Sequence, residues 1–348
     1  MSSTSAVSKR IEALDYLRGF FILVIIVDHL WRWPNLFQYI SGRGELWVSA
    51  AEGFVIISGL LVGYIRGRKG LKKSFREISQ KLVLRGALLY VWTLITAFIF
   101  VAATWYLTYR SNTAFIPYVH GDWWNVIRDT VTLNYTHLLT HFLYLYAIFL
   151  VLSPIVIWLL RQSMWWIAVT VSTAGWLFGY MLNIEWLQWQ VLFFVPATAG
   201  FYLDDIIAYG RRLPSTVISP FMIAALGSIV LSAIIILPHD PGTYNRDVFS
   251  KEPMALARIL LSFIWFTALA WLFNKILSWL EKYIGWLLLP FGTRSLTAYI
   301  VHGFVLTLIA LLFPSSPSLL LNTLYVCVAV IGTWAIVRSP SINRFIPR

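Results

Sequence analysis

Charge is what this chain has least of. Only 12% of its 348 residues are Asp, Glu, Lys or Arg, against roughly a quarter in soluble domains. Acidic residues number 15, and cysteine occurs once, at Cys327. One cysteine excludes an intramolecular disulfide and leaves no thiolate cluster to hold a metal. Long polar connections are nearly missing as well, the exception being 108–138. No fixed-period repeat, inverted duplication or low-complexity segment is visible, which removes the usual sign of a repeat-built transporter. What fills the chain is apolar: 59% hydrophobic residues, 18 Trp and a mean hydropathy of +0.73. Such a chain is an integral membrane protein, with tryptophans suited to the two interfacial belts.

Apolar runs of about 20 residues, set against a hydrocarbon core of roughly 30 Å, predict an all-α polytopic protein of ten spans. Their limits are 12–33, 46–66, 83–107, 139–160, 164–182, 187–208, 215–237, 256–279, 283–313 and 318–338. The ninth is too long for one straight crossing and holds Pro290 and Gly292, so it is expected to be kinked or broken. The whole chain, 1–348, reads as one transmembrane domain with short tails at 1–11 and 339–348. The first run is followed by Trp31, Arg32, Trp33 and Pro34. Small residues of a cleavage site are missing there, so the run should stay as an anchor.

A net charge of +12 raises nucleic acid as a partner, and the distribution of the 27 basic residues answers it. With the N-terminus inside, eighteen fall on the cytoplasmic side, from Lys9 and Arg10 through the 66–76 cluster to Arg344 and Arg348. Seven fall opposite (Arg32, Arg43, Arg110, Arg128, Arg246, Lys251 and Arg258), and Arg18 and Arg294 lie at or within spans. That is the positive-inside bias of a multi-pass protein of the inner or plasma membrane with both termini cytoplasmic. Nucleic acid drops out. The cluster "RGRKGLKKSFR" at 66–76 is a topology determinant near anionic lipid, or, with Arg85, a holder of an anionic cytosolic ligand through Arg66 and Lys69. The external "GDWWNVIRDTV" reads as an amphipathic piece at the outer interface.

The sharpest puzzle is "LDYLRGFFILVIIVDHL", residues 14–30, which carries Asp15, Arg18, Asp28 and His29 in a membrane span. Each such charge costs about 2.5–3.5 kcal/mol even on lenient insertion scales. At about 100° per residue, Arg18 and His29 point within roughly 20° of each other, about 16 Å apart along the axis. Asp15 lies one turn before Arg18 on nearly the same face, whereas Asp28 points away from the stripe. Arg18 at the lipid boundary and His29 bonded to a neighbouring helix is the bland alternative. Glu52 is an intramembrane acid or an interfacial one. Gly59 and Gly63 form a small-xxx-small pair suited to close packing. Ser295, Tyr299 and His302 recur at helical spacing on one face, as interhelical bonds or as a cavity lining. His137 and His141 are four apart, but no third metal ligand is evident, and no metal is expected.

The segment "RIEALDYLRGFFILVIIVDHL" resembles the first helix of the acyltransferase-3 superfamily, with its Arg, ten residues, His signature at Arg18 and His29. "SAAEGFVIISGLLVGY" at 49–64, with Glu52 and Ser58-Gly59, resembles the second helix of the OpgC branch, which succinylates periplasmic glucans. "FLYLYAIFLVLSPI" at 142–155 resembles its fourth, and "EWLQWQVLFFVPATAGFYL" at 185–203 its sixth, with Trp189-Gln190 kept. "FGTRSLTAYIVHGF" at 291–304 is similar to the superfamily's late Ser-Leu…Tyr-x-x-His element. The segment 215–258 matches no motif.

The resemblance implies an O-acyltransferase that moves a succinyl or acetyl group from cytosolic acyl-CoA to an extracytoplasmic glycan. His29 would be the general base, with Arg18 and Glu52 completing the catalytic set. Arg18, Arg85, Arg66 and Lys69 would draw the donor's phosphates. Asp15, Ser58, Tyr146, Gln190, Ser295, Tyr299 and His302 would line the cavity. Acyl-CoA would act as a substrate, so no tightly bound cofactor is expected. A transporter or flippase of a glycan or lipid-linked substrate is the alternative class. The sequence leaves the oligomeric state open, a homodimer included.

Overall fold

The computed structural model of the chain describes residues 3–111, 118–244 and 247–340, the side chains of 3–11 and 107–111 excepted. Lys9, Arg10, Arg110, Arg246, Arg344 and Arg348, with most of the two expected tails, lie outside the described side chains. The main helices are α1 (Ser3–Leu30), α2 (Ala50–Leu61), α3 (Phe75–Ser111), α4 (Trp123–Val131), α5 (His141–Arg161) and α6 (Trp165–Leu182). They continue as α7 (Glu185–Phe201), α8 (Leu203–Gly210), α9 (Ser215–Ile236), α10 (Leu256–Lys275), α11 (Gly285–Thr293), α12 (Ser295–Leu312) and α13 (Leu319–Arg338). Among the described residues no strand forms.

Among the described residues eight helical stretches are long and apolar enough to cross a membrane, one of them α2 together with its helical continuation to Lys72, and the bent pair α7–α8 makes nine. Helix α1, with Asp15, Arg18 and Asp28 in its apolar stretch, stands outside that count and lies at the first expected span, 12–33. The chain is an all-α polytopic membrane protein. The ninth expected span is indeed broken: α11, with Pro290 inside it, ends at Thr293, and α12 starts at Ser295 after a non-helical Arg294. The sixth, expected as a span over 187–208, is bent. It turns by 74° between Phe201 and Leu203. Its short second arm presents Asp205 to Arg68 at 3.8 Å and Asp204 to the Tyr64 hydroxyl at 3.5 Å.

Small residues let the inner helices touch backbone to backbone, as packing in lipid requires where no hydrophobic effect drives helices together. Gly59 of α2 and Gly63, just past its end, lie against the carbonyls of Phe193 and Ala197 in α7, and Gly200 returns the contact against Leu60. Gly19 of α1 and Gly292 of α11 face the carbonyls of Leu288 and Asp15 in the same way.

The connections gather at two ends. At one, Arg161 donates to the carbonyls of Gly70 and Lys73 at 2.9 and 3.2 Å, fixing the basic 66–76 turn. At the other, Arg43 donates to the carbonyl of His239 at 2.8 Å and Arg32 to that of Phe313 at 2.7 Å. Helix α4 begins at Asp122, whose carboxylate accepts the Asn125 N–H, and it buries Val126 and Thr130 while exposing Trp124 and Ile127.

Candidate functional site

Inside the bundle, a cavity of about 60 Å³ is lined by Arg18, Ser58, Arg85, Tyr146, Thr293 and Ser295, with Phe54, Phe142 and Leu296 closing it. Five residues selected from sequence, on five different helices, therefore meet at one place. Arg18 Nη1 donates to the Gly292 carbonyl at 2.8 Å and stands 3.7 Å from Asp15, which is half-buried one turn earlier on α1. The buried Nε atoms of both Arg18 and Arg85 have no partner. Ser58 does not point its proton into the cavity; its hydroxyl donates to the Phe54 carbonyl at 2.7 Å.

Further along α1 and α12, His29 and His302 meet. His29 Nδ1 and His302 Nε2 are 2.9 Å apart, and His302 Nδ1 hydrogen-bonds the Tyr299 carbonyl. The two places are joined by rings. Phe142 stacks on Tyr146 at 5.7 Å and meets Tyr299 edge-on at 5.5 Å. Tyr299 in turn lies 4.8 Å from the His302 ring and 6.3 Å from that of His29. The Tyr299 hydroxyl also accepts the Phe142 N–H at 3.2 Å.

Other expected members stand elsewhere. Glu52 does not hold the His29 imidazole; that partner is His302. Both Glu52 oxygens are committed, Oε1 to Arg258 Nε and Nη2 at 2.7 Å each, and Oε2 to the Ser49 N–H at 2.9 Å and hydroxyl at 2.5 Å. Gln190 turns away from the cavity toward α6, accepting from the Ser172 hydroxyl at 2.7 Å and donating to the Ser172 carbonyl at 2.5 Å. Arg66 and Lys69 are not among the groups lining the cavity; Lys69 is exposed, its Nζ 4.7 Å over the Tyr64 ring. The helical spacing of His137 and His141 does not bring them to a common ligand. His137 accepts the Leu139 N–H at a helix start, and His141 contacts Glu185 at 2.6 Å.

A family model described as OpgC protein matches residues 10–341, nearly the whole chain. The chain belongs to the OpgC protein family. Comparison with curated proteins and with solved structures gives no match. The matched residues include those of the Arg18 cavity and the His29–His302 pair.

Sequence reasoning missed Arg258, taken only as one of seven outer cations, although it is the partner of Glu52. A signal for the local half of that arrangement stands at 49–52: Ser-x-x-Glu before an apolar run is a capping box. The charge half had no local signal, because Glu52 and Arg258 are 206 residues apart.

Proposed function

We propose that this protein is a membrane O-acyltransferase of the acyltransferase-3 superfamily, moving a succinyl or acetyl group from cytosolic acyl-CoA to a glycan hydroxyl on the opposite side. One observation carries the reading. Helices α1 and α12 carry Arg18 and Ser295 to a shared cavity and His29 and His302 to a direct contact further along. Two guanidiniums with unpartnered nitrogens suit a phosphate-bearing donor, since such forks take phosphate oxygens in charge-assisted pairs. The carboxylate nearby, Asp15, offsets part of that positive charge without closing the fork.

The donor's acyl end would thread from the Arg18–Arg85 cavity along Tyr146, Phe142 and Tyr299 toward His29. A sugar hydroxyl is a weak nucleophile at neutral pH, and imidazole, with an ordinary pKa near 6.5, is suited to take its proton as the bond forms. The balance is simple. His29 accepts the hydroxyl proton, the oxygen bonds to the thioester carbon, the C–S bond breaks, and the proton passes to the leaving thiolate. An ester and a free thiol result, and His29 is returned neutral. An acyl-His29 intermediate gives the same products in two steps. The N-terminus inside, and the donor mouth with it, follow the charge bias of the sequence.

The experiment is acyl transfer by purified protein in lipid nanodiscs, with labelled acyl-CoA and a glucan acceptor, read by mass of the product. His29→Ala should lower turnover by about 10²–10⁴-fold, the usual cost of losing a general base. Unchanged turnover in folded His29→Ala protein, or glycan movement without any acyl donor, would overturn the reading.

A further inference from the structure

His29 has two ring nitrogens, and only one can serve as the base. Which one is free is decided two residues away. His302 Nδ1 faces the carbonyl of Tyr299. A carbonyl oxygen has no proton to give, so the hydrogen in that contact belongs to His302 Nδ1. A neutral imidazole carries one N–H, which leaves His302 Nε2 as an acceptor. The group 2.9 Å from it, His29 Nδ1, must then be the donor. His29 is thereby held with its proton on Nδ1 and its lone pair on Nε2. The ordering starts from a backbone carbonyl, which cannot retautomerise.

From this geometry we infer that His302 is a positioning residue that fixes the tautomer of His29 and so selects Nε2 as the proton-accepting atom. The ordering rests on hydrogen bonds alone; only the use of Nε2 as the base rests on the acyl-transfer reading. When Nε2 takes a proton, the Nδ1–H of the imidazolium still points at His302 Nε2, so the same bond stabilises the charged ring. Burial makes that contact count: His302 is 1% exposed and no water competes easily for its acceptor. Tyr299 contributes its backbone to one end of the chain and its ring, edge-on to His29, to the other.

Two variants test the assignment. In His302→Gln the side-chain oxygen lies three bonds from Cβ, as Nε2 does in His302, and keeps an acceptor for His29 Nδ1. In His302→Phe the ring volume stays and the acceptor is lost. The readout is ¹⁵N NMR of histidine-labelled full-length protein in lipid, which separates bare from protonated ring nitrogens, together with turnover and KM for the acyl donor. The expected result is a bare Nε2 on His29 in the wild type and in His302→Gln. In His302→Phe the bare nitrogen should move to Nδ1 in part of the population. Turnover should fall by up to about 10⁴-fold there, the scale of a wrong tautomer in a catalytic imidazole, with KM for the donor unchanged and His302→Gln recovering most of the loss. A wild-type His29 protonated on Nε2 overturns the inference, and so does a folded His302→Phe that keeps the wild-type tautomer and turnover. If His302→Phe fails to fold, the wild-type and His302→Gln spectra still decide. The predicted tautomers without any acyl transfer by the wild type would uphold the relay and refute the acyl-transfer reading.

Discussion

Replacing Arg258 by methionine should be among the most destabilising single changes in the bundle. Arg258 and Glu52 are 1% and 0% exposed and meet through two contacts of 2.7 Å. Methionine fills much of the same volume but leaves the Glu52 carboxylate buried, with Ser49 as its remaining hydrogen-bond partner. Breaking a buried pair from one side costs about 3–5 kcal/mol. The hydrogen bond from Arg258 Nη1 to the Phe249 carbonyl, at 3.0 Å, adds about 1 kcal/mol. Removing both charges, in Glu52→Leu with Arg258→Met, should recover most of this, because a packed apolar pair is often as stable as the ion pair. Recovery should stop short by about 0.5–2 kcal/mol, since Glu52 also satisfies the start of α2. The assay is the unfolding midpoint in detergent micelles by tryptophan fluorescence, for both single variants and the double, with exposed Lys72→Met as the surface control. If Arg258→Met unfolds no earlier than Lys72→Met, or the double variant is worse than either single, the pair does not hold the bundle as argued.

Arg18→Ala should weaken binding of a non-hydrolysable acyl-CoA analogue by roughly 10–100-fold, the value of one charge-assisted hydrogen bond, and Arg18→Lys by less; calorimetry measures both. Val119→Cys, on an exposed residue of the 108–138 segment, should react with an impermeant maleimide from outside intact cells; labelling only after the inner face is opened would reverse the proposed direction of transfer. The Tyr118–Asp129 contact should loosen in acid. Hydrogen bonds from Arg128 and then Tyr118 hold the Asp129 carboxyl below its ordinary 3.8, so its contribution is present above that value and is lost as pH falls through the lower folded-state pKa. Hydrogen exchange of α4 amides between pH 5 and pH 2 reads the change, and Asp129→Asn should abolish it.

The spans were legible because apolar length is a local property, and the element list follows the hydropathy nearly run for run. The bend at Tyr202 was not. Its dihedrals, φ −99° and ψ 19°, are open to many residue types, and what stabilises the turned arm is Asp205 on Arg68 and Asp204 on Tyr64, contacts made across the fold. The polar stripe was legible because one helix carries the pattern: Asp15, Arg18 and His29 share a face because helical geometry says so. The motif residues Ser58, Tyr146 and Ser295 reached the same cavity as Arg18 and Arg85. Glu52 and Gln190, expected at the reacting region, are bonded to other helices; a polar residue in a span looks alike whether it faces a cavity or locks two helices. Only the partner distinguishes them, Arg258 for the one and Ser172 for the other.

The broken ninth span explains how an arginine can sit in the first. A helix leaves its last four carbonyls without intrahelical partners, and the break at Arg294 puts such an end, that of α11, inside the protein instead of at its surface. Gly292 belongs to that last turn, and Arg18 satisfies its carbonyl while its positive charge meets the negative end of the α11 dipole. Gly292 also lacks the Cβ that would collide with the Asp15 carbonyl, so α1 can come close enough for the bond. The same break starts a second helix. The first residues of α12, Ser295 and Leu296, line the cavity, and the N-terminal end of a helix carries unpaired N–H groups and a positive dipole. Arg18, Arg85 and that helix start thus converge on one space from three elements. A straight ninth helix would supply neither the carbonyl that anchors Arg18 nor the helix start beside it, and the charge in α1 would then stand against lipid-like surroundings at its full cost. The kink and the charged first span are therefore one feature, joined at the Gly292 carbonyl that Arg18 satisfies.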